Sequence, residues 1–265
     1  MRAIWKGALS FGLLNVPVKL GTATSRKTIS FNNLHQECHT PIKMKRYCHH
    51  CQREVEYEEL CRGYEYEDKS YVIITEENLE ELPVKSKKTI DILDFISLEE
   101  IDPVYYDKSY YLTPQEGAEK PYYLLKKTME SRGRVAVTKI TIRKKESLAI
   151  IRTLEHLLLL ETMFYPEEVR EIEEPGLDES KYSGMVSEKE MEMAQELLDN
   201  LTSEFQPDKY RDRYREAMME IIRKKIEGQE VEFPSPAPSQ EGKVVNIMEK
   251  LKASVEESKR ERRID

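Results

Sequence analysis

Hydrophobic and polar positions alternate along the first two-thirds of this chain and change to helical spacing in the last third. Alternation with period two marks a strand with one buried face. Arg134–Arg143 alternates over ten residues, and Thr89–Ile96 has a period near two. Tyr71–Thr75 is β-branched and aromatic, as strands favour. Shorter runs at Val16–Lys19, Ile29–Phe31, Tyr105–Leu112, Leu148–Ile151 and Leu157–Leu160 read as further strands. After a turn around Thr113–Gly117, Pro121–Ser131 reads as a helix with proline in its first turn. Many short strands with one or two helices predict a β-barrel, and so an α+β fold that is mainly β.

Beyond this region the apolar spacing becomes three and four. Ser187 followed by Glu190 is a capping-box pattern, and Met191, Ala194, Leu197, Leu198 and Leu201 make the stripe behind it. Pro207-Asp208 is read as ending that helix and capping the next. The next helix carries Tyr210, Tyr214, Met218, Ile222 and Ile226, and Gly228 is its stop. Residues 229–242, with Pro234, Pro236 and Pro238, read as a linker. Lys243–Glu257 is one amphipathic helix with the stripe Val244, Ile247, Met248, Leu251 and Val255. A lone helix of this length is marginal in water, so it needs a partner surface in this chain or in another. The tail Lys259–Arg263 is mostly basic.

Composition changes this picture in one respect. The 265 residues are 39% hydrophobic, enough for a sizeable core, but 35% are charged, above the usual quarter. A net charge of −8 argues against a polyanion partner on average, yet the charge is unevenly spread. Residues 1–31 hold five basic and no acidic residues, and residues 120–145 hold nine basic residues against Glu130 alone. Residues 161–206 hold fourteen acids against three basic residues. A basic surface can meet a polyanion while the far side is acidic; the plainer reading is a set of solvated charged faces. The start of the chain has no signal peptide and no apolar run is long enough to cross a bilayer, so a cytoplasmic location is expected.

In that compartment the four cysteines are expected to be reduced, which favours a metal over disulfides. His35-x-x-Cys38 is followed, after nine residues, by Cys48-x-x-Cys51. Two short chelating pairs on a hairpin can close tetrahedrally around zinc, and a shell of four protein ligands would be structural. His35, Cys38, Cys48 and Cys51 are the first choice, with Cys61 in place of His35 as the alternative. The other possibility is four unremarkable, partly buried thiols. No phosphate loop, dinucleotide fingerprint, nucleophile elbow or HExxH motif is present. His156, alone in an apolar stretch, reads as a core histidine. A binding protein is expected rather than an enzyme; the competing readings are a zinc-dependent enzyme acting on nucleic acid and an adaptor built on the C-terminal helix.

Several segments resemble the bacterial Ku family. The opening Met1–Leu20 (Met-Arg-Ala-Ile-Trp-Lys-Gly-Ala-Leu-Ser-Phe-Gly) and the block Leu98–Leu112, with Asp102-Pro-Val-Tyr-Tyr106, carry the resemblance most specifically. Phe31–His35, Gly63–Tyr66, Gly133–Val137, Glu161–Arg170 and Lys209–Ala217 are similar to later blocks, and the likeness resumes at Val244–Ser254. The resemblance implies a Ku-type barrel core over residues 1–175 with a bridging arm at about 32–70, a helical arm at 176–228, and a partner-binding helix with a short tail at 243–265. It implies a homodimeric ring that threads onto double-stranded DNA ends in non-homologous end joining and double-strand break repair, and a C-terminal helix that binds an ATP-dependent DNA ligase of the ligase D type. Val244, Ile247, Met248, Leu251 and Val255 would then be the ligase contacts. Cys61 departs from the family pattern, and the short tail lacks the lysine-rich extension of many relatives.

A ring reads phosphate charge and duplex shape, so its contacts should be lysines and arginines. The candidates are Lys43, Lys45, Arg46 and Arg53 in the bridge and Arg132, Arg134, Lys139 and Arg143 on the barrel. Lys139 and Arg143 share one parity in their strand and Arg134 the other, so they cannot all face DNA from one flat strand. Lys139 and Arg143 are the preferred pair, with Arg132 and Arg134 reaching from the preceding loop.

Overall fold

The structure, a computed structural model, describes residues 2–81, 88–143, 145–171, 183–229 and 247–261. It divides into two units, one ending at Glu171 and one beginning at Ile172, where the family resemblance implied a boundary at 175.

In the first unit, β1 (Trp5–Phe11) and β2 (Leu14–Thr22) form an antiparallel hairpin. The chain then leaves as an arm holding β3 (Tyr47–Cys48), β4 (Arg53–Glu54), β5 (Arg62–Glu67) and β6 (Ser70–Ile74), and ends it in the short helix α1 (Glu76–Glu80). It returns as β7 (Thr89–Ile96) and β8 (Tyr106–Pro114), followed by helix α2 (Glu119–Arg132) and the meander β9 (Val135–Ile142), β10 (Lys145–Leu154) and β11 (Leu157–Met163). Seven strands close a barrel in the order β1-β2-β8-β11-β10-β9-β7. The closing seam, β1 on β7, is parallel, with Leu9 opposite Ile90; the other pairs are antiparallel.

Period two fills this barrel. Val16, Val18 and Leu20 of β2 are fully buried, as are Leu112, Ile151, Leu158 and Leu160 on other strands. The interior is therefore packed with side chains, not a channel. Helix α2 lays Tyr122, Leu125 and Met129, spaced three and four apart, onto the same core. Trp5 donates its indole N–H to the carbonyl of Thr141 at 3.1 Å, tying β1 to β9 beside the seam.

The second unit holds α3 (Glu188–Leu201), α4 (Arg213–Ile226) and α5 (Ile247–Glu261). The expected capping box is present: Ser187 Oγ accepts from the Glu190 amide, and Glu190 accepts from the Ser187 amide at 2.9 Å. Helix α5 packs on α3 and reaches beyond the expected end at Glu257; Val244 and most of the linker read at 229–242 lie outside the described residues. No helix among the described residues is long and apolar enough to cross a membrane.

Four expectations are corrected. Ile29–Phe31 forms no strand; it lies in the arm's irregular first segment, where no partner strand supplies a ladder. Asp208 sits in a separate short turn, and the cap of α4 is Asp212, which accepts from the Arg215 amide at 2.9 Å. Tyr210 consequently precedes α4 instead of lying on its stripe. His156 is not in the core: it stands exposed in the β10–β11 turn, 3.8 Å from Glu155. The turn reverses the chain at the end of the barrel, beyond the buried residues Ile151 and Leu158 of its two strands, so its own residues face solvent.

Candidate nucleic-acid interface

The arm is built differently from the barrel. No residue from Thr22 to Glu81 is buried. Large apolar side chains stand in solvent, among them Phe31, Ile42, Met44, Tyr57, Tyr64 and Tyr66. The β5–β6 ribbon pairs Tyr64 with Val72 on one face and places Tyr71 and Ile73 on the other, so both faces are apolar and exposed. A two-stranded ribbon is marginal alone in water, and one that is apolar on both sides needs cover on both.

The chelating pairs lie at two small turns of this arm. A bridge between Leu34 and Pro41 closes the first, where His35 Nδ1 is 3.2 Å from Cys38 Sγ. The β3–β4 hairpin closes the second, where the Cys51 amide donates to Cys48 Sγ at 3.5 Å. The two turns share a backbone device: the residue after each pair, His39 at φ 51° and Gln52 at φ 50°, is left-handed. Hydrogen bonds from Thr40 hold the Cys38 thiol below its ordinary value, and those from Cys51 do the same for Cys48. Each pair has the donors and spacing of half a tetrahedral zinc site. Among the described residues no three His, Cys, Asp or Glu side chains gather at one point, so the structure presents two halves, not an assembled shell. Cys61 is exposed and takes part in neither turn.

The eight candidate phosphate contacts fall in three places. In the arm, Lys43 is exposed, Lys45 pairs with Glu54 at 2.7 Å, and Arg46 lies 5.4 Å from the Tyr57 ring centroid. Arg53 makes a two-pronged contact with Glu59, at 2.5 and 3.1 Å, and holds that carboxyl down at about 2. At the junction of α2 and β9, Arg132 occupies the last helical turn and Arg134 is 3.8 Å from Glu100. On the outer hairpin, Lys139 projects from β9, whose neighbours Thr138 and Ile140 are buried. Arg143 follows in the turn to β10, at φ 51°, so it shares the exposed hairpin with Lys139 but no longer a strand face.

The sequence pattern does not reveal the acids that answer these cations. Glu146 of β10 is 3.4 Å from Lys139, whose ammonium also lies 5.9 Å from the Tyr165 ring centroid; Glu168 is 3.6 Å from Lys145. Residues 120–145 look almost purely basic because most of the answering carboxylates, Glu100, Glu146 and Glu168, lie outside that segment. These pairs are exposed, and such pairs are typically worth about 0–1 kcal/mol, little enough for a phosphate to replace the carboxylate. Arg152 and Glu161 differ: they meet at 2.7 Å, mostly buried, and Ser109 donates to Glu161 at 3.0 Å, which ties β8, β10 and β11 together.

The described residues thus form a filled barrel that extends an uncovered arm, with cations on the arm and on an outer hairpin. Residues 10–193 match the family described as the Ku70/Ku80 beta-barrel domain. The chain is 45% identical over 256 residues to the non-homologous end joining protein Ku of Desulfitobacterium hafniense, covering 96% of this chain and 87% of that one. It is 42% identical over 260 residues to the same-named protein of Heliobacterium modesticaldum, covering 98% and 93%. The protein of that name from Symbiobacterium thermophilum is 44% identical over 264 residues; this chain spans 64% of its length. The chain belongs to the Ku family.

Proposed function

We propose that the protein binds ends of double-stranded DNA in non-homologous end joining, as a homodimer that encircles the duplex and recruits an ATP-dependent DNA ligase. The observation that carries this reading is the arm: from Thr22 to Glu81 it buries nothing, yet it displays large apolar side chains on both faces of its ribbon. A second copy is the partner that supplies matching cover, because a two-fold interface joins the same patch from each chain. Two arms held that way can enclose a passage, and the exposed cations Lys43, Lys45, Arg46, Lys139 and Arg143 supply sequence-independent attraction to phosphate. The protein acts by holding, not by turnover. The ligase is bound through α5.

The four-ligand zinc site belongs to the same proposal. His35 and Cys38 would hold one side of the ion and Cys48 and Cys51 the other. The ion would staple an arm that has no core of its own.

A gel shift comparing linear with covalently closed duplex, combined with native mass measurement, tests the reading. Linear DNA should bind in complexes containing two chains, and a linear duplex circularised after loading should retain them. Equal affinity for closed circles would overturn it.

A further inference from the structure

The C-terminal helix does not stand free. Helix α5 lies against α3: Leu251 shares a hollow with Leu197, Leu198, Leu201 and Thr202, and Lys259, two turns on, pairs with Glu196. Val255 is 4% exposed, the one buried residue described in this unit, and Leu251 is half-buried. These are the last two positions of the apolar stripe on which partner binding would depend. Among the described residues of the stripe, only Ile247 is exposed, at 62%. The sequence left open whether the stripe finds its cover in this chain or another; α3 provides it in this chain.

The packing is also loose. A hollow of about 440 Å³ remains between the helices, lined by Ala194, Leu197, Leu198, Leu201, Thr202 and Leu251. Leu198 and Leu201 stay 65% exposed beside it. Asn200, three residues beyond Leu197 on the same face of α3, has a buried side-chain N–H group without a hydrogen-bond partner. An interface with a hollow and an unmet donor is one that can be exchanged for a better-fitting partner.

We infer that α3 masks the partner-binding stripe of α5, so that ligase recruitment requires α5 to be released from α3. This rests on the reading that α5 is the ligase-binding element. The affinity measured for the whole chain is then the intrinsic affinity multiplied by the fraction of time α5 is open. The lock is the α3 surface together with the Lys259–Glu196 pair, and no α3 residue need touch the ligase.

The test uses the full chain, loaded on linear duplex, and the purified ATP-dependent ligase of the source organism. Glu196→Lys reverses the charge at an exposed position and should leave α3 folded. It should tighten ligase binding severalfold, with about tenfold the ceiling if the helix is closed nine-tenths of the time. Adding Lys259→Glu restores an opposite-charge pair and should return the affinity to its starting value. Hydrogen exchange over residues 247–261 should be slow in the parent chain, fast in Glu196→Lys and slow again in the double variant. Val255→Asp, checked for intact DNA binding, separates the two ideas. If it abolishes ligase binding while Glu196→Lys changes neither affinity nor exchange, the stripe recruits but is not masked, and the inference falls alone. If Val255→Asp leaves ligase binding intact, recruitment through α5 falls, and the masking of recruitment with it.

Discussion

The hydroxyl of Tyr122 accepts a hydrogen bond from the amide of Leu158 at 2.7 Å and donates one to the carbonyl of Leu112 at 2.6 Å. Leu112 and Leu158 are register partners on β8 and β11, so a helix side chain stands between two ladder groups of the barrel. Tyr122 is 5% exposed, and the phenol is pushed above its ordinary pKa by burial. Tyr122→Phe keeps the ring but leaves an N–H and a C=O unpaired in the core. A loss of about 1–3 kcal/mol is expected, read as a lower denaturant midpoint with unchanged slope. A loss under about 0.5 kcal/mol would mean the strands close over the gap and repair the ladder themselves.

Gly7 lies at a close approach in the barrel seam. A Cβ there would meet the Lys88 carbonyl and the Trp5 ring, the former belonging to the backbone that receives the Ala8 amide at 2.9 Å. Gly7→Ala should therefore cost at least the about 1–3 kcal/mol of an overpacked core. Thermal melting and the exchange rate of the Ala8 amide check it; a neutral substitution would show that the seam is slack.

Lys139 and Arg143 should each neutralise a phosphate. Replacing either by alanine should weaken binding to linear duplex equally for all sequences and lower the slope of log affinity against log salt by about 0.9 for each phosphate set free. Because Glu146 competes for Lys139, Glu146→Gln should strengthen binding at low salt. An unchanged slope in the double alanine variant would place DNA elsewhere.

The cap of α3 sets a pH dependence. Hydrogen bonds from Ser187, side chain first and backbone second, hold Glu190 below its ordinary value of 4.5. A carboxyl with a depressed folded pKa stabilises fully above its unfolded value, and that contribution is lost as pH falls through the folded one. Exchange protection of the α3 first turn should therefore be flat above about pH 5 and fall in acid. Glu190→Gln should remove the pH dependence; an equally steep fall in that variant would point to another group.

Zinc is tested apart from DNA. One ion per chain is expected by native mass measurement, and none in Cys48→Ser. Chelation should speed exchange across residues 34–55 and leave barrel melting unchanged, since the arm shares no buried residue with the barrel. A protein that binds no zinc under reducing conditions would end this part of the proposal.

The barrel was legible where alternation is unbroken. Thr89–Ile96 is β7 to the residue, and β9 differs from the expected strand only in losing its terminal arginines to flanking turns. The capping box and the Gly228 stop, at φ 73°, were local signals and survive unchanged. The arm was less legible: Ile29–Phe31 has the composition of a strand but no neighbouring strand in the arm's first segment to pair with. Ion pairs were invisible for a related reason. Lys139 meets Glu146 across a hairpin, and α5 meets α3 across more than forty intervening residues, and neither registers as periodicity.

Closing the barrel through β1 and β7 has a consequence for how the chain is made. The first strand emerges from the ribosome with one edge satisfied by β2 and the other waiting for Thr89–Asp91, with the whole arm still to be synthesised between them. Long loop closures are slow, and an unpaired edge invites pairing with the wrong neighbour. The meander β9 to β11 can assemble from local contacts, leaving the amino-terminal hairpin to dock later and making it a part of the protein exposed to misassembly during synthesis.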